Sequence, residues 1–152
     1  MTKKHPIKIA IAGVGNCASA LIQGIHYYAA RDGEGAPGLM HEKIGGFGAG
    51  DIAVVAAFDI DARKVGQDVN RAIFAAPNCT TVFQGNLPDS GVTVSMGATL
   101  DGISEHMLHA NPARSFVRAE EPDATRAQVV NALRASGAEI LLNYMPVGST
   151  QA

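Results

Sequence analysis

The strongest constraint on this chain is a short glycine turn, Gly13-Val14-Gly15-Asn16-Cys17-Ala18. It has the form G-x-G-x-x-A. Before it lies Ile7-Lys8-Ile9-Ala10-Ile11-Ala12, an Ile-rich run bounded by Pro6 and Gly13 that reads as a buried strand. After it, from Cys17 to Ala30, the apolar residues Ala18, Leu21, Ile22, Ile25 and Tyr28 fall at helical spacing. A strand passing through two glycines into a helix is the opening of a βα unit. In that setting Gly13 permits the tight turn, Gly15 leaves room for a pyrophosphate against the backbone, and Ala18 lets the helix pack close to the strand. The free N–H groups and positive end of the helix would face the anion.

The remaining segments continue the alternation. Arg31 to Asp51 contains Pro37 and many glycines and reads as irregular; its length suggests a binding role or mobility. Ile52 to Phe58 is an unbroken apolar run, suited to a strand buried on both faces. Asp61 is placed to cap a helix over 62–74, with Val65, Val69, Ala72 and Ile73 as its apolar face; Gly66 weakens that helix and Pro77 ends it. Val92 to Ser95 alternates like a short strand, and 100–109 has helical spacing. Asp123 or Thr125 can cap a helix over 126–136, with Gly137 as the left-handed terminator. Glu139 to Tyr144 is a strand stopped by Pro146, and Gly148-Ser149-Thr150 looks like the start of another helix. Strands alternating with helices imply an α/β fold with a parallel sheet and helices on its faces.

Composition narrows the function classes. The chain has 152 residues, of which 47% are hydrophobic, enough for one domain with a sizeable core. Eight basic and seven acidic residues precede position 77, and four and seven follow it. Neither half has the basic surplus that phosphate-backbone binding requires, and the lack of Trp argues against base stacking, so no nucleic-acid partner is expected. No segment qualifies for membrane insertion, because glycines and polar residues interrupt the 9–30 stretch. Lys8 and the glycines also break any secretory-signal pattern at the start. Cys17 and Cys79 match no metal or redox spacing, and two reduced thiols suit a cytoplasmic protein.

Candidate site residues cluster at predicted strand ends. Asp59 follows the second strand, where a carboxylate can accept hydrogen bonds from ribose hydroxyls and disfavour a 2′-phosphate, hence NAD over NADP. It lies 46 positions after Gly13 rather than about 20, and the 31–51 insertion accounts for the excess. Asp61 reads as the helix cap instead. Tyr144 to Ser149 follows a later strand, so Gly148 and Ser149 could donate N–H groups there. The Cys17 side chain reads as a small packing residue. His106 and His109 read as a solvated helix face rather than metal ligands, since no further ligand cluster exists and no metal is expected. No nucleophile elbow or P-loop is present.

Ala10 to Ser19, Pro37 to His41, Val55 to Asp61, Lys64 to Gly66, Ala72 to Ala75, Gly97 to Gly102 and Tyr144 to Ser149 together resemble inositol-3-phosphate synthase (myo-inositol-1-phosphate synthase) of the bacterial and archaeal type. The blocks run in the family's order from about residue 7 to 150. Ala98 stands where Pro is usual and Met145 where Leu is usual, and 104–123 matches poorly. The resemblance implies a Rossmann-like NAD-binding domain over 1–152, the first portion of a longer enzyme. That enzyme isomerises glucose 6-phosphate to inositol 3-phosphate by NAD-dependent oxidation, aldol cyclisation and reduction. It also implies a cytoplasmic homotetramer for full-length members. By the same resemblance Gly13, Val14, Gly15, Asn16 and Cys17 fall at the pyrophosphate, and Asp59, Ile60 and Asp68 on the adenosine side. Ala135 falls near a cofactor position, and Tyr144, Pro146, Gly148 and Ser149 toward the nicotinamide. None of the five lysines here, Lys3, Lys4, Lys8, Lys43 and Lys64, matches a catalytic lysine of the family. The expectation is an NAD-binding portion inactive by itself, with apolar surface left for a missing half to cover. A stand-alone NAD-binding or regulatory module, and another NAD-linked oxidoreductase, are the alternatives.

Overall fold

The computed structural model describes residues 5–31, 37–146 and Ser149, apart from the side chains of His106 and Leu108. Four strands, β1 (Ile7–Ala12), β2 (Ile52–Asp59), β3 (Val94–Met96) and β4 (Ile140–Asn143), form one sheet in the order β3-β2-β1-β4. Every pairing is parallel. β1 is central, and the chain moves outward on one side through β2 and β3 before returning to place β4 on the other.

Parallel pairing requires crossovers, and helices supply them on both faces. Alternate strand residues point to opposite faces. Ile11, Ala57 and Val94 join Ala18 and Ile22 of helix α1 (Asn16–Ala29) and Val69 and Ala72 of helix α2 (Val69–Ala72) in one buried cluster. Their neighbours Ala10, Ala56 and Phe58 face the other way. There they meet Val129, Ala132 and Leu133 of α4 (Arg126–Ser136). A short helix α3 spans Glu105–Leu108. The expected α/β fold, with a parallel sheet between helices, is what forms. No helix among the described residues is long and apolar enough to cross a membrane.

The local signals explain several boundaries. Thr125 caps α4 by accepting from the Gln128 N–H, while the Gln128 side chain accepts from the Thr125 N–H. Gly137 ends that helix at φ 66°. Asp123 is not the cap; it accepts from Thr99 and Arg118. β2 is well buried only in its second half, since Ile52 to Val55 are partly covered.

The helix expected over 62–74 does not form. Residues 62–66 are turns, and only Val69–Ala72 is helical. Gly66 sits at φ 81°, outside helical space. Its N–H donates to the Val94 carbonyl, and the Val94 N–H donates to Gln67, so this segment is bound to the entry of β3. Asp68, not Asp61, caps the short helix, accepting from the Asn70 N–H. The helix expected over 100–109 likewise shrinks to α3. The helix start expected at 148–150 lies outside the described residues except for Ser149, whose N–H donates to the Pro146 carbonyl.

Candidate functional site

The glycine turn lies at the C-terminal edge of the sheet, between the ends of three strands. The Gly13 N–H donates to the Phe58 carbonyl at 2.8 Å, and the Tyr144 N–H donates to the Ala12 carbonyl at 2.8 Å. The two glycines have different physical causes. Gly13 has φ 91°, and a Cβ there would stand 3.0 Å from the Tyr144 carbonyl oxygen. The fold itself therefore demands glycine at 13. Gly15 has φ −91°, open to any residue, and a Cβ there would meet no atom of the described residues within 4 Å. No contact among the described residues explains glycine at 15. It is also the N-cap of α1, where no side chain caps the helix and the first turn carries no acidic residue. The result is an uncapped helix start beside open space, a fit for an anion such as a pyrophosphate.

Val14, between the glycines, is fully buried. Its N–H donates to Asp59 Oδ2 at 2.7 Å, and its carbonyl accepts from Asn78 Nδ2 at 3.2 Å. Asp59 Oδ1 accepts from the Ile60 and Asp61 N–H groups at 2.7 and 2.8 Å. The Lys64 ammonium donates to Asn78 Oδ1 at 3.0 Å and stands 3.9 Å from Asp59 Oδ2. Lys64 is 4% exposed. Burial pulls its pKa below the usual lysine value, against the opposing pull of Asp59 and Asp61.

Asn16 is tied to a distant segment. Its Oδ1 accepts from the Cys79 N–H at 2.8 Å, and its carbonyl accepts from the Thr80 hydroxyl at 2.9 Å. Cys17 is exposed at the start of α1, so its side chain is not the packing residue expected. Helix α1 turns its buried side from Ala18 onward instead.

Several candidates serve other contacts. Asp61 is fully buried, and Arg63 grips both its oxygens, at 2.8 and 2.6 Å. Arg63 also donates to the Pro112 and Ser115 carbonyls, which pins the 112–119 segment. Burial would raise the Asp61 pKa, but the bonds from Arg63 outweigh it and hold the carboxyl below its ordinary value. Asp68 accepts from Asn70, from Ser90 twice and from Gly91. Burial opposes those bonds, yet they keep its pKa low. This arrangement makes Asp68 the clamp of the 88–91 turn and lends no support to an adenosine contact.

The structure does not bring Ala135 to the glycine turn. Helix α4 runs antiparallel to the strands, and its last turn adjoins the start of β1: the Glu139 N–H donates to the Lys8 carbonyl. Exposed Ala135 thus sits at the opposite sheet edge, about 16 Å from Gly13 along β1. Tyr144 does border the turn, and Pro146 follows it; Val147 and Gly148 lie outside the described residues.

One region at the same edge escaped sequence reasoning. Beside the end of β2, between the sheet and α4, lies an open cavity of about 550 Å³. Phe58, Ser95, Met96, Asp123, Thr125 and Gln128 contribute to its lining. Its lining comes from the ends of β2 and β3 and from the start of α4, some thirty residues further on, and no local motif joins them.

No protein-family profile matches the chain. Inositol-3-phosphate synthase of Corynebacterium glutamicum is 46% identical over 147 residues, covering 96% of this chain and 38% of that protein. The enzymes of the same name from Mycolicibacterium smegmatis and Mycobacterium tuberculosis are 43% and 42% identical over the same shares. Among solved structures, Ari2 matches with TM-score 0.72 and 35% identity, over 93% of this chain and 39% of that one. A myo-inositol-1-phosphate synthase-related protein of Thermotoga maritima shares the fold, with TM-score 0.64 and 18% identity over 93% and 35% of the two chains. Over nearly its whole length this chain is a homologue of the inositol-3-phosphate synthases, and it spans 38% of the length of these curated relatives.

Proposed function

We propose that this chain is the NAD-binding portion of an inositol-3-phosphate synthase. The observation that carries the reading is Gly15: a glycine that no contact among the described residues requires, at a helix start with no side-chain cap. A pyrophosphate fits there, and the N–H groups at the start of α1 would hold it. Asp59 has its Oδ1 filled by two backbone donors. Its Oδ2, which accepts from the Val14 N–H, would also accept from a ribose hydroxyl, and its charge disfavours the 2′-phosphate of NADP. The adenosine end would lie toward Ile60 and the neighbouring cavity, and the nicotinamide toward Tyr144, Pro146, Gly148 and Ser149.

NAD, when bound, would supply the hydride acceptor that makes glucose 6-phosphate reactive toward cyclisation to inositol 3-phosphate. This chain's own part is to bind and orient it. None of its lysines is assigned to the charged intermediates, which need cations placed around them. Those groups, and the tetramer expected of the whole enzyme, belong to the further length that the relatives possess.

Calorimetric titration of NAD into the 152-residue chain tests this reading. The wild type should bind. Gly15→Val should abolish binding and leave the melting temperature nearly unchanged, because the new side chain enters only the ligand's space. No heat of binding in the wild type, or equal affinity in the variant, would overturn the assignment.

A further inference from the structure

Lys64 is a buried cation with no place in the nucleotide site just described, yet two steps of hydrogen bonding connect it to that site. Its ammonium donates to Asn78 Oδ1 at 3.0 Å, and Asn78 Nδ2 donates to the Val14 carbonyl at 3.2 Å and to the Ile73 carbonyl at 3.0 Å. On the other side of Val14, its N–H donates to Asp59 Oδ2, which Lys64 approaches at 3.9 Å. The peptides before and after Val14 are therefore each held by a side chain from outside the loop, and Lys64 faces both side chains.

The second peptide matters most. In a trans peptide the carbonyl and the following N–H point in opposite directions. Fixing the Val14 carbonyl toward Asn78 therefore turns the Gly15 N–H to the opposite side of the backbone. An Asn amide can rotate to exchange its oxygen and nitrogen. A cation 3.0 Å from Oδ1 forbids that exchange, because the rotated amide would present its NH2 group to the ammonium. Lys64 thereby locks Asn78 with its donor toward Val14.

We propose that Lys64 is a positioning residue of the nucleotide site. Acting through Asn78 and Asp59, it fixes the peptides on either side of Val14 so that the Gly15 N–H is presented to a bound pyrophosphate. The inference rests on the NAD reading above and extends it to residues outside the glycine turn.

The test uses the 152-residue chain with two variants and two ligands. Lys64→Met removes the cation at similar volume. Asn78→Asp keeps an acceptor for Lys64 but loses the donor to Val14. NAD carries a pyrophosphate and adenosine does not. Both variants should lose at least tenfold in NAD affinity by calorimetry, while the adenosine affinity of Asn78→Asp, followed by NMR titration, changes less than twofold. The Gly15 amide resonance of each free variant should move from its wild-type position. A simple loss of stability would weaken both ligands together. Wild-type NAD affinity in Asn78→Asp, or equal losses for NAD and adenosine in that variant, would overturn the inference even if Lys64→Met failed to fold. Failure of the wild type to bind NAD would overturn the site reading itself, and the role of Lys64 with it.

Discussion

The two faces of the sheet are built to different standards. On the α1 face, Ile11, Val14, Ala18, Ile22, Ala57, Val69, Ala72, Ile73 and Val94 are all 0 or 1% exposed. On the α4 face the buried cluster among the described residues is Ala10, Ala56 and Phe58, and no residue of α4 is buried. At the edge of the sheet Ile140 and Leu141 of β4 remain 47% and 49% exposed. The difference bears on both the glycine turn and the cavity. Val14 belongs to the closed cluster, so the glycine turn is anchored in the part of the molecule that can least afford to move. The open cavity lies on the loosely covered face, where a bulky ligand group can enter without displacing core.

Core truncations should expose this contrast most directly. Ile22→Ala on the closed face should cost about 3 to 4 kcal/mol, since a tightly packed site cannot collapse around the void. Val129→Ala on α4 should cost under about 1 kcal/mol, because that position already borders space. Urea unfolding of the two variants measures both, and equal costs would abolish the distinction between the faces.

The next largest effect belongs to the buried Asp61–Arg63 pair. Asp61→Asn should cost about 2 to 3 kcal/mol, below the full penalty for a buried pair because the Arg63 side chain is 28% exposed. The folded Asp61 pKa lies below the unfolded value near 3.8. The unfolded chain therefore binds the proton first as pH falls. The pair's contribution is complete above the unfolded value and is lost as pH drops through the lower folded one. Thermal melts between pH 5 and 2 should show that loss in the wild type and a shallower one in Asp61→Asn.

A smaller effect should separate the two glycines at the turn. Gly13→Ala should destabilise by about 1 to 2 kcal/mol, from positive φ and the close Tyr144 carbonyl. A neutral Gly13→Ala in a thermal melt would mean that the turn relaxes freely, and that its anchoring in the closed face counts for little.

Where the signals were local, the sequence was readable. The Ile-rich run of β1, the helical spacing of α1, the apolar β2 and the Thr125 and Gly137 boundaries of α4 all lie within a residue or two of their expected positions. The segment after β2 was not readable. Val65, Val69, Ala72 and Ile73 do follow helical spacing, but Gly66 at positive φ and two hydrogen bonds with Val94 take the backbone elsewhere. The site shows the same division. Gly13, Gly15 and Asp59 announce themselves by motif and by position after a strand. Asn78, Cys79 and Thr80 reach Val14 and Asn16 across more than sixty residues, and nothing in their own neighbourhood signals it. Lys64 read as one lysine among five until its buried contacts were visible.

The central position of β1 has a consequence for how the molecule comes into being. Lys8 donates its N–H to Glu139, 131 residues later, and β4 completes the sheet beside β1 only at 140–143. During synthesis β1 must therefore wait for the β4 segment, 131 residues later, before its second edge is covered. At roughly 5 to 20 residues per second that interval lasts about 7 to 26 seconds, with Ile9 and Ile11 of β1 lacking their partners on that side. Such distant pairing also slows folding once the chain is complete, because the intervening loop must close before the contact contributes. Of these four strands, the one that carries the glycine turn is thus made first and fully paired last.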